Sequence, residues 1–81
     1  MPALAENKME ITPDELIRIQ AYLRSKFGNE GLAVRPRAQT PDSIEVILNG
    51  EFIGVVYKDE DEGEVSYDFN MAILDIDLPE K

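Results

Sequence analysis

The chain has 81 residues, with 17 Asp and Glu against 8 Lys and Arg, so its formal net charge is −9. This length allows one domain, and the negative charge argues against binding to nucleic-acid phosphates or to an anionic membrane surface. Cysteine and histidine are both absent, which excludes disulfides and argues against zinc, copper or haem sites. The composition therefore predicts a protein without a cofactor.

The charge is concentrated in the second half of the chain. Residues 1–41 hold six Lys and Arg against five Asp and Glu, whereas residues 42–81 hold two against twelve. We expect no nucleic-acid or membrane partner, although a basic protein would suit the acidic half. The N-terminus has no apolar signal segment, and the longest apolar stretch, residues 52–57, is far shorter than the roughly 18 residues of a membrane span. These features predict a cytoplasmic location.

A helix is predicted near the start of the chain. Residues 1–10 show no periodicity and are expected to be a flexible N-terminus, and residues 11–78 are expected to form one domain. Thr12 is a typical N-cap, Pro13 suits the first helical position, and Glu15 completes a capping box. The apolar spacing predicts a helix over residues 13–27 that ends at Gly28, with one apolar stripe formed by Leu16, Ile19, Leu23 and Phe27.

The period then changes from 3.6 to 2, which predicts strands. A short strand at residues 32–36 is assigned to a sheet edge because Pro36 cannot donate a ladder hydrogen bond. Residues 43–48 and 51–58 are predicted to form a hairpin around Asn49-Gly50. A reversal at residues 59–63 leads to a long last strand over residues 64–77, with room for a bulge. The predicted fold class is α+β, one N-terminal helix packed on a four-stranded antiparallel β-meander in two layers.

The predicted register decides which side chains lie under the helix. A two-residue turn pairs Leu48 with Glu51, Val46 with Ile53, and Ile44 with Val55 on the helix face. An odd-length reversal would add further apolar residues to the same face, namely Val65, Tyr67, Phe69 and Met71 beside Tyr57. Arg35 would form an ion pair with Glu45 on the opposite face.

The opposite sheet face is the predicted interaction surface, since only the termini remain to cover it. Phe52 would lie there in an exposed apolar strip, with the bare backbone of Gly54 open to close approach. We predict that this strip forms a homodimer or receives the tail of the chain, Leu74, Ile76 and Leu78. The candidate interaction residues are Ile47, Phe52, Gly54, Val56 and Ala72, together with the acidic residues Asp59, Glu60, Asp61, Glu62 and Glu64.

No pattern of catalytic residues is found. The chain has neither a Ser-His nor a Cys-His dyad and no glycine-rich phosphate loop, so it is predicted not to be an enzyme. Lys58 and Ser43 are expected to be ordinary surface residues. The function predicted is a non-enzymatic protein-interaction module that associates with itself.

Two alternatives remain open from the acidic run alone. One is a weak calcium or magnesium site at residues 59–64, although a calcium loop counted from Asp59 would need Gly at its sixth and Glu at its twelfth position, where Gly63 falls fifth and Asn70 twelfth. The other is an acidic antagonist that mimics nucleic acid and engages a nucleic-acid-binding protein.

Three stretches carry a resemblance to a known family. They are Phe52-Ile53-Gly54-Val55, the run Asp59-Glu60-Asp61-Glu62-Gly63-Glu64-Val65-Ser66-Tyr67, and Asn70-Met71-Ala72-Ile73-Leu74-Asp75-Ile76-Asp77-Leu78. With the helix opening Thr12-Pro13-Asp14-Glu15 and the runs Ala21-Tyr22-Leu23-Arg24 and Lys26-Phe27-Gly28, they resemble a family of small alphaproteobacterial proteins known only as a domain of unknown function. The resemblance covers about residues 10–78 and supports a single domain, but it brings no activity, ligand or catalytic residue that could be carried over to this chain.

Overall fold

The helix forms where the sequence predicts it. A computed structural model describes residues 10–80, and the predicted flexible N-terminus, residues 1–10, lies outside that range except for Glu10. Helix α1 spans Pro13–Phe27. The Glu15 amide donates to the Thr12 hydroxyl over 3.1 Å, and the Thr12 amide donates to the Glu15 carboxylate over 2.8 Å. Gly28 then ends the helix with a φ of 62° in the left-handed region, where glycine is favoured.

Four antiparallel strands follow the helix in sequence order. They are β1 (Leu32–Pro36), β2 (Ser43–Leu48), β3 (Glu51–Asp61) and β4 (Glu64–Asn70), and the sheet order is β1-β2-β3-β4. A short 3₁₀ helix, Asp75–Asp77, follows the sheet. The α+β fold class is therefore confirmed, with β1 and its Pro36 at one sheet edge as predicted. The helix in residues 10–80 is not long and apolar enough to cross a membrane.

The core lies between α1 and the first three strands. Its buried side chains are Leu23, Leu32, Val34, Ile44, Val46 and Val56. Leu16 and Ile19 pack at its margin, whereas Phe27 is half exposed and meets the Phe69 ring edge-on with 6.3 Å between ring centroids. The most extensive helix–strand contact among the described residues is between α1 and β1. The helix therefore sits toward the β1 side of the sheet.

The pairing of β2 with β3 differs from the predicted register. Leu48 pairs with Glu51 and Ile47 with Phe52 as the two-residue turn requires, but Val46 then pairs with Gly54. Ile53 is the extra residue of a β-bulge, and every later side chain of β3 changes face.

The predicted pairs Val46–Ile53 and Ile44–Val55 are consequently wrong. Ile44 pairs with Val56, which is buried in the core at 2% exposure, while Val55 and Tyr57 lie on the face away from the helix. Ile53 itself packs at the core margin. A glycine inside a strand often marks a bulge or a close backbone approach, so Gly54 carried a signal for this irregularity.

The reversal between β3 and β4 also differs from the prediction. Asp61 pairs with Glu64 across a two-residue turn in which Glu62 and Gly63 have φ angles of 53° and 83°. The loop is therefore even rather than odd, and β3 continues three residues beyond Lys58. Because the bulge and the even loop each reverse the alternation, their effects cancel, and Tyr67 and Phe69 face the helix side as predicted.

The last strand is shorter than predicted. Strand β4 ends at Asn70 and not near Asp77, and its bulge is absent because the irregularity lies in β3. Residues 71–74 are irregular and lead into the 3₁₀ helix, whose first turn is closed by the Asp77 amide donating to the Leu74 carbonyl over 2.8 Å. The tail is thus a separate segment and not part of the sheet.

The close approach at Gly54 generates a stability prediction. A Cβ at this position would lie 2.5 Å from the Asn70 carbonyl oxygen and 2.7 Å from the Phe69 ring. We expect Gly54→Ala to lower the free energy of unfolding by about 2 kcal/mol, because β4 must move away. Ser66→Ala on exposed β4 is the control and should stay within about 0.5 kcal/mol of wild type. Urea unfolding checks both, and equal stabilities would contradict the packing of β4 over Gly54.

Candidate functional site

The face of the sheet away from the helix carries an open apolar row. Ala33 pairs with Ile47 and Ile47 with Phe52, so the three side chains cross β1, β2 and β3 in line. Phe52 is 54% exposed, which is high for a phenylalanine. The bulge adds Val55 and Tyr57 to this face, although the predicted register placed both residues on the helix side. We call this surface, formed by Ala33, Ile47, Phe52, Val55 and Tyr57, the open face.

Two of the predicted interaction residues do not belong to the open face. Val56 lies in the core, and Gly54 is buried against Phe69 and the β4 backbone on the helix side. Both predictions are wrong for one reason, since the bulge at Ile53 shifts the alternation of β3 by one residue. Ile47 and Phe52 precede the bulge and keep their predicted positions.

Polar residues border the apolar row in the next line of the sheet. Arg35 pairs with Glu45, and their side chains form the predicted ion pair with 3.4 Å between Nε and Oε1. Val55 and Asn70 continue that line across β3 and β4. The predicted Asn70 is present, while Val55 replaces the bare backbone expected from Gly54.

The C-terminal tail passes beside the open face without closing over it. A cavity of about 710 Å³ separates the two, and its walls include Phe52, Val55, Ala72 and Leu74. The apolar side chains of the tail remain solvent-exposed, with Ile76 at 85% and Leu74 at 58%. The tail therefore supplies additional apolar surface next to Phe52, and Ala72 contributes to it from the irregular tail and not from a strand of the sheet.

The acidic run is divided between the two faces of a protruding hairpin. Ser43, the first residue of β2, pairs with Tyr57. The part of β3 and β4 beyond this pair is therefore a two-stranded ribbon. Cross-strand pairing places Asp59, Asp61, Glu64 and Asp68 on the open-face side and Glu60 on the helix side, with Glu62 in the turn. Residues 10–80 contain no group of three or more side chains arranged to hold a metal ion.

A second apolar surface lies on the helix side, between α1 and β4. Since the helix sits toward β1, it covers β4 only in part, and a cavity of about 320 Å³ remains between them. Its walls are Glu15, Arg18, Ile19, Tyr22, Leu23, Val56, Tyr67 and Phe69. We call this surface the helix–β4 groove. Two of these residues, Tyr22 and Tyr67, are exposed.

A polar cluster closes one end of the helix–β4 groove. The Lys58 ammonium lies 2.9 Å from Oε2 and 3.1 Å from Oε1 of Glu15, and it also donates to the Glu10 carbonyl over 3.1 Å. The Tyr67 hydroxyl donates to the same Glu15 carboxylate. The side chains of Lys58 and Glu15 are only 9% and 14% exposed. This cluster joins the start of α1 to β3 and β4.

The cluster changes the proton affinity of two of its members. Burial raises the pKa of the Glu15 carboxyl, but hydrogen bonds from Thr12, Tyr67 and Lys58 and the charge of Lys58 outweigh burial and lower this pKa to about 2. Burial and the hydrogen bond to Glu15 raise the pKa of Tyr67 to about 12. Glu15 is therefore ionised and Tyr67 neutral at ordinary pH, which suits a structural tie.

Sequence reasoning missed this cluster and one other buried polar residue. Lys58 is not an ordinary surface residue, because its side chain is only 9% exposed. Local patterns could not show this, because its hydrogen-bond partners lie 43 and 48 positions away in the chain. Ser43 is buried at 1% exposure, with its hydroxyl bonded to Arg37 and Thr40. The capping box signalled one role of Glu15, but its second role depends on where β3 and β4 pass the helix.

These features define a small α+β domain, a single helix on a four-stranded antiparallel sheet with an uncovered apolar surface on each side. Residues 15–77 match the model of a family described as a protein of unknown function (DUF3126), and the chain belongs to this family. That match confirms membership of a domain family of unknown function. No curated protein matches the chain, and no solved structure matches it.

The polar cluster generates a prediction about pH. The pKa of Glu15 is lower in the folded protein than its ordinary value of 4.5, so Glu15 stabilises the fold above pH 4.5 and loses this effect as the pH falls toward 2. We expect Glu15→Gln to lower the free energy of unfolding by about 2 kcal/mol at pH 7, since it leaves the buried Lys58 charge without its anion.

The measurement is the urea midpoint of wild type and variant between pH 7 and pH 2. The difference between the two should shrink as the pH falls below 4.5. Glu64→Gln removes an exposed carboxylate and serves as the control, with little effect at any pH. A difference between wild type and Glu15→Gln that stays constant with pH would show that the Glu15 charge is not the stabilising feature.

Proposed function

We propose that this protein is a non-enzymatic protein-interaction module that binds a second copy of itself through the open face. The observation that carries the proposal is the row Ala33–Ile47–Phe52, with Phe52 half exposed at its end. Contiguous exposed apolar surface in a protein of this size usually meets a partner. The tail residues Ala72 and Leu74 extend the same surface.

A second copy suits the shape of this face. Two sheets can pack face to face about 10 Å apart, with their inner side chains interleaved and the helices on the outside. A two-fold axis near Phe52 would bring the same row from each copy together, which is the self-complementary contact of a symmetric dimer. An 81-residue domain with six buried apolar side chains in its described part gains stability from such burial.

The charges restrict how the two copies meet. The open-face carboxylates Asp59, Asp61, Glu64 and Asp68 lie at the hairpin end of the sheet, away from Phe52. If the two sheets face each other with their strands antiparallel, the hairpins point in opposite directions and the acidic ends stay apart. A parallel arrangement would stack like charges, which costs energy. The antiparallel arrangement is therefore part of the proposal.

The ionisable groups of the polar cluster support a structural and not a catalytic role. Glu15, Lys58 and Tyr67 bond to one another, to the Thr12 amide and to the Glu10 carbonyl. None of the three therefore has a spare polar atom turned toward a substrate. A cytoplasmic location, with which the absence of cysteine is compatible, is also part of this proposal.

Light scattering on a size-exclusion column tests the proposal. Wild type should elute with twice the 9.1 kDa chain mass over a concentration series, whereas Phe52→Glu should elute as a monomer because it buries a charge at the interface. Ile17→Glu is the matched control, since Ile17 is a similarly exposed apolar residue on the helix. It should keep the wild-type mass.

Two results would contradict the proposal. A monomeric wild type at every concentration would refute self-association. A dimeric Phe52→Glu with wild-type thermal stability would show that the copies meet elsewhere.

A further inference from the structure

The outer edge of β4 is an unused strand edge. In the sheet β4 pairs only with β3, and within residues 10–80 no backbone hydrogen bond joins residues 64–70 to any other segment. The opposite edge differs, because β1 is covered by α1 and contains Pro36. A row of free backbone donors and acceptors is a template for one more strand.

The two faces of β4 have different chemistry. On the helix side Val65, Tyr67 and Phe69 form an apolar row that continues into the helix–β4 groove. On the other side lie Glu64 and Asp68 with Ser66 and Asn70, and Asp59 and Asp61 of β3 stand next to them. Any strand added to β4 must match an apolar row on one side and an acidic row on the other.

These requirements describe one occupant. We propose that the β4 edge binds an extended segment of a partner protein in which basic and apolar residues alternate, as a fifth antiparallel strand. Its Lys or Arg side chains lie opposite Glu64 and Asp68, and its apolar side chains cover the helix–β4 groove beside Tyr67 and Phe69. The backbone bonds provide affinity, and the alternating side chains provide specificity.

Charge favours this partner over a second copy at the same edge. Two β4 strands paired with each other would bring two acidic rows together between chains that each carry a charge of −9. Like charges on neighbouring strands are destabilising. Self-association through the open face leaves the β4 edge free, so this site is distinct from the proposed dimer contact and does not depend on it.

The groove gives the added strand apolar surface to cover. Tyr22 on the helix is 60% exposed, and Val65 on β4 is 47% exposed. One further strand, placed about 4.8 Å beyond β4, carries its apolar side chains to the same side as these residues. The polar cluster of Glu15, Lys58 and Tyr67 holds α1 and β4 at a fixed separation, so the site is formed before the partner arrives.

The test uses a synthetic peptide that alternates lysine with valine or phenylalanine, of about the seven-residue length of β4. Amide NMR of the full chain should show saturable shifts centred on residues 64–70 and on Tyr22. A peptide of the same composition in block order should bind about tenfold more weakly, because only alternation matches both faces. Methylation of alternate peptide nitrogens should weaken binding when the methylated nitrogens are those that face β4. Methylation of the other set, which faces away from β4, should not.

Two charge variants separate a specific site from general attraction. Asp68→Lys should weaken binding of the lysine peptide by about five- to tenfold, since it reverses a charge opposite the added strand. Glu30→Lys makes the same change in net charge at an exposed position in the loop after α1 and should alter affinity less than twofold. Both substitutions lie outside the core, and circular dichroism confirms that each variant is folded.

The outcomes decide the proposal clearly. Equal binding of the alternating and block peptides, equal effects of the two variants, or shifts spread over the whole acidic hairpin would each refute a fifth-strand site. Strand-like protection of residues 64–70 from hydrogen exchange in the presence of peptide would support it. The same binding should be measured with Phe52→Glu. Because this change lies on the open face, it should leave peptide binding unchanged, so the dimer proposal and the fifth-strand proposal can fail independently.

Discussion

One geometric constraint governs this protein: a single helix is too narrow for a four-stranded sheet. A helix with its side chains is about 10–12 Å across, while the outer strands of the sheet stand about 14 Å apart and bear side chains of their own. Helix α1 lies toward β1 and buries the centre of the sheet. The side of β4 that faces the helix is consequently covered only in part. The open face is uncovered for a different reason, because within residues 10–80 the only helix longer than one turn lies on the other side of the sheet.

The polar cluster of Glu15, Lys58 and Tyr67 adds to the limited apolar contact between α1 and β4, which includes the Phe27–Phe69 ring pair. At the opposite end of the helix, a largely buried ion pair and a hydrogen bond connect its first turn to β3 and β4. A buried ion pair contributes less to stability than its attraction suggests, but it specifies one arrangement of the groups that it joins. Here it holds the helix–β4 groove open and places β4 with its outer edge free.

Both proposed surfaces follow from the same shortage of covering elements. The open face offers an apolar row that suits a second copy, because its acidic residues lie at one end of the sheet. The β4 edge offers free backbone groups between an apolar and an acidic row, which suits a basic partner strand and disfavours self-pairing. Under both proposals the acidic residues of the hairpin would disfavour pairing of two β4 strands and would favour a basic partner strand.

Local patterns in the sequence were sufficient for the elements and for much of the core. Capping residues, the apolar stripe and the Asn49-Gly50 turn predicted α1, β1 and β2 with their observed bounds, because each signal acts within a few residues. The tertiary structure decided what depends on distant contacts. Gly54 accommodates Phe69, and the bulge beside it moves Val56 into the core and Val55 outward. The link from Glu15 to Lys58 and Tyr67 spans 43 and 52 positions, a distance over which no local periodicity carries information.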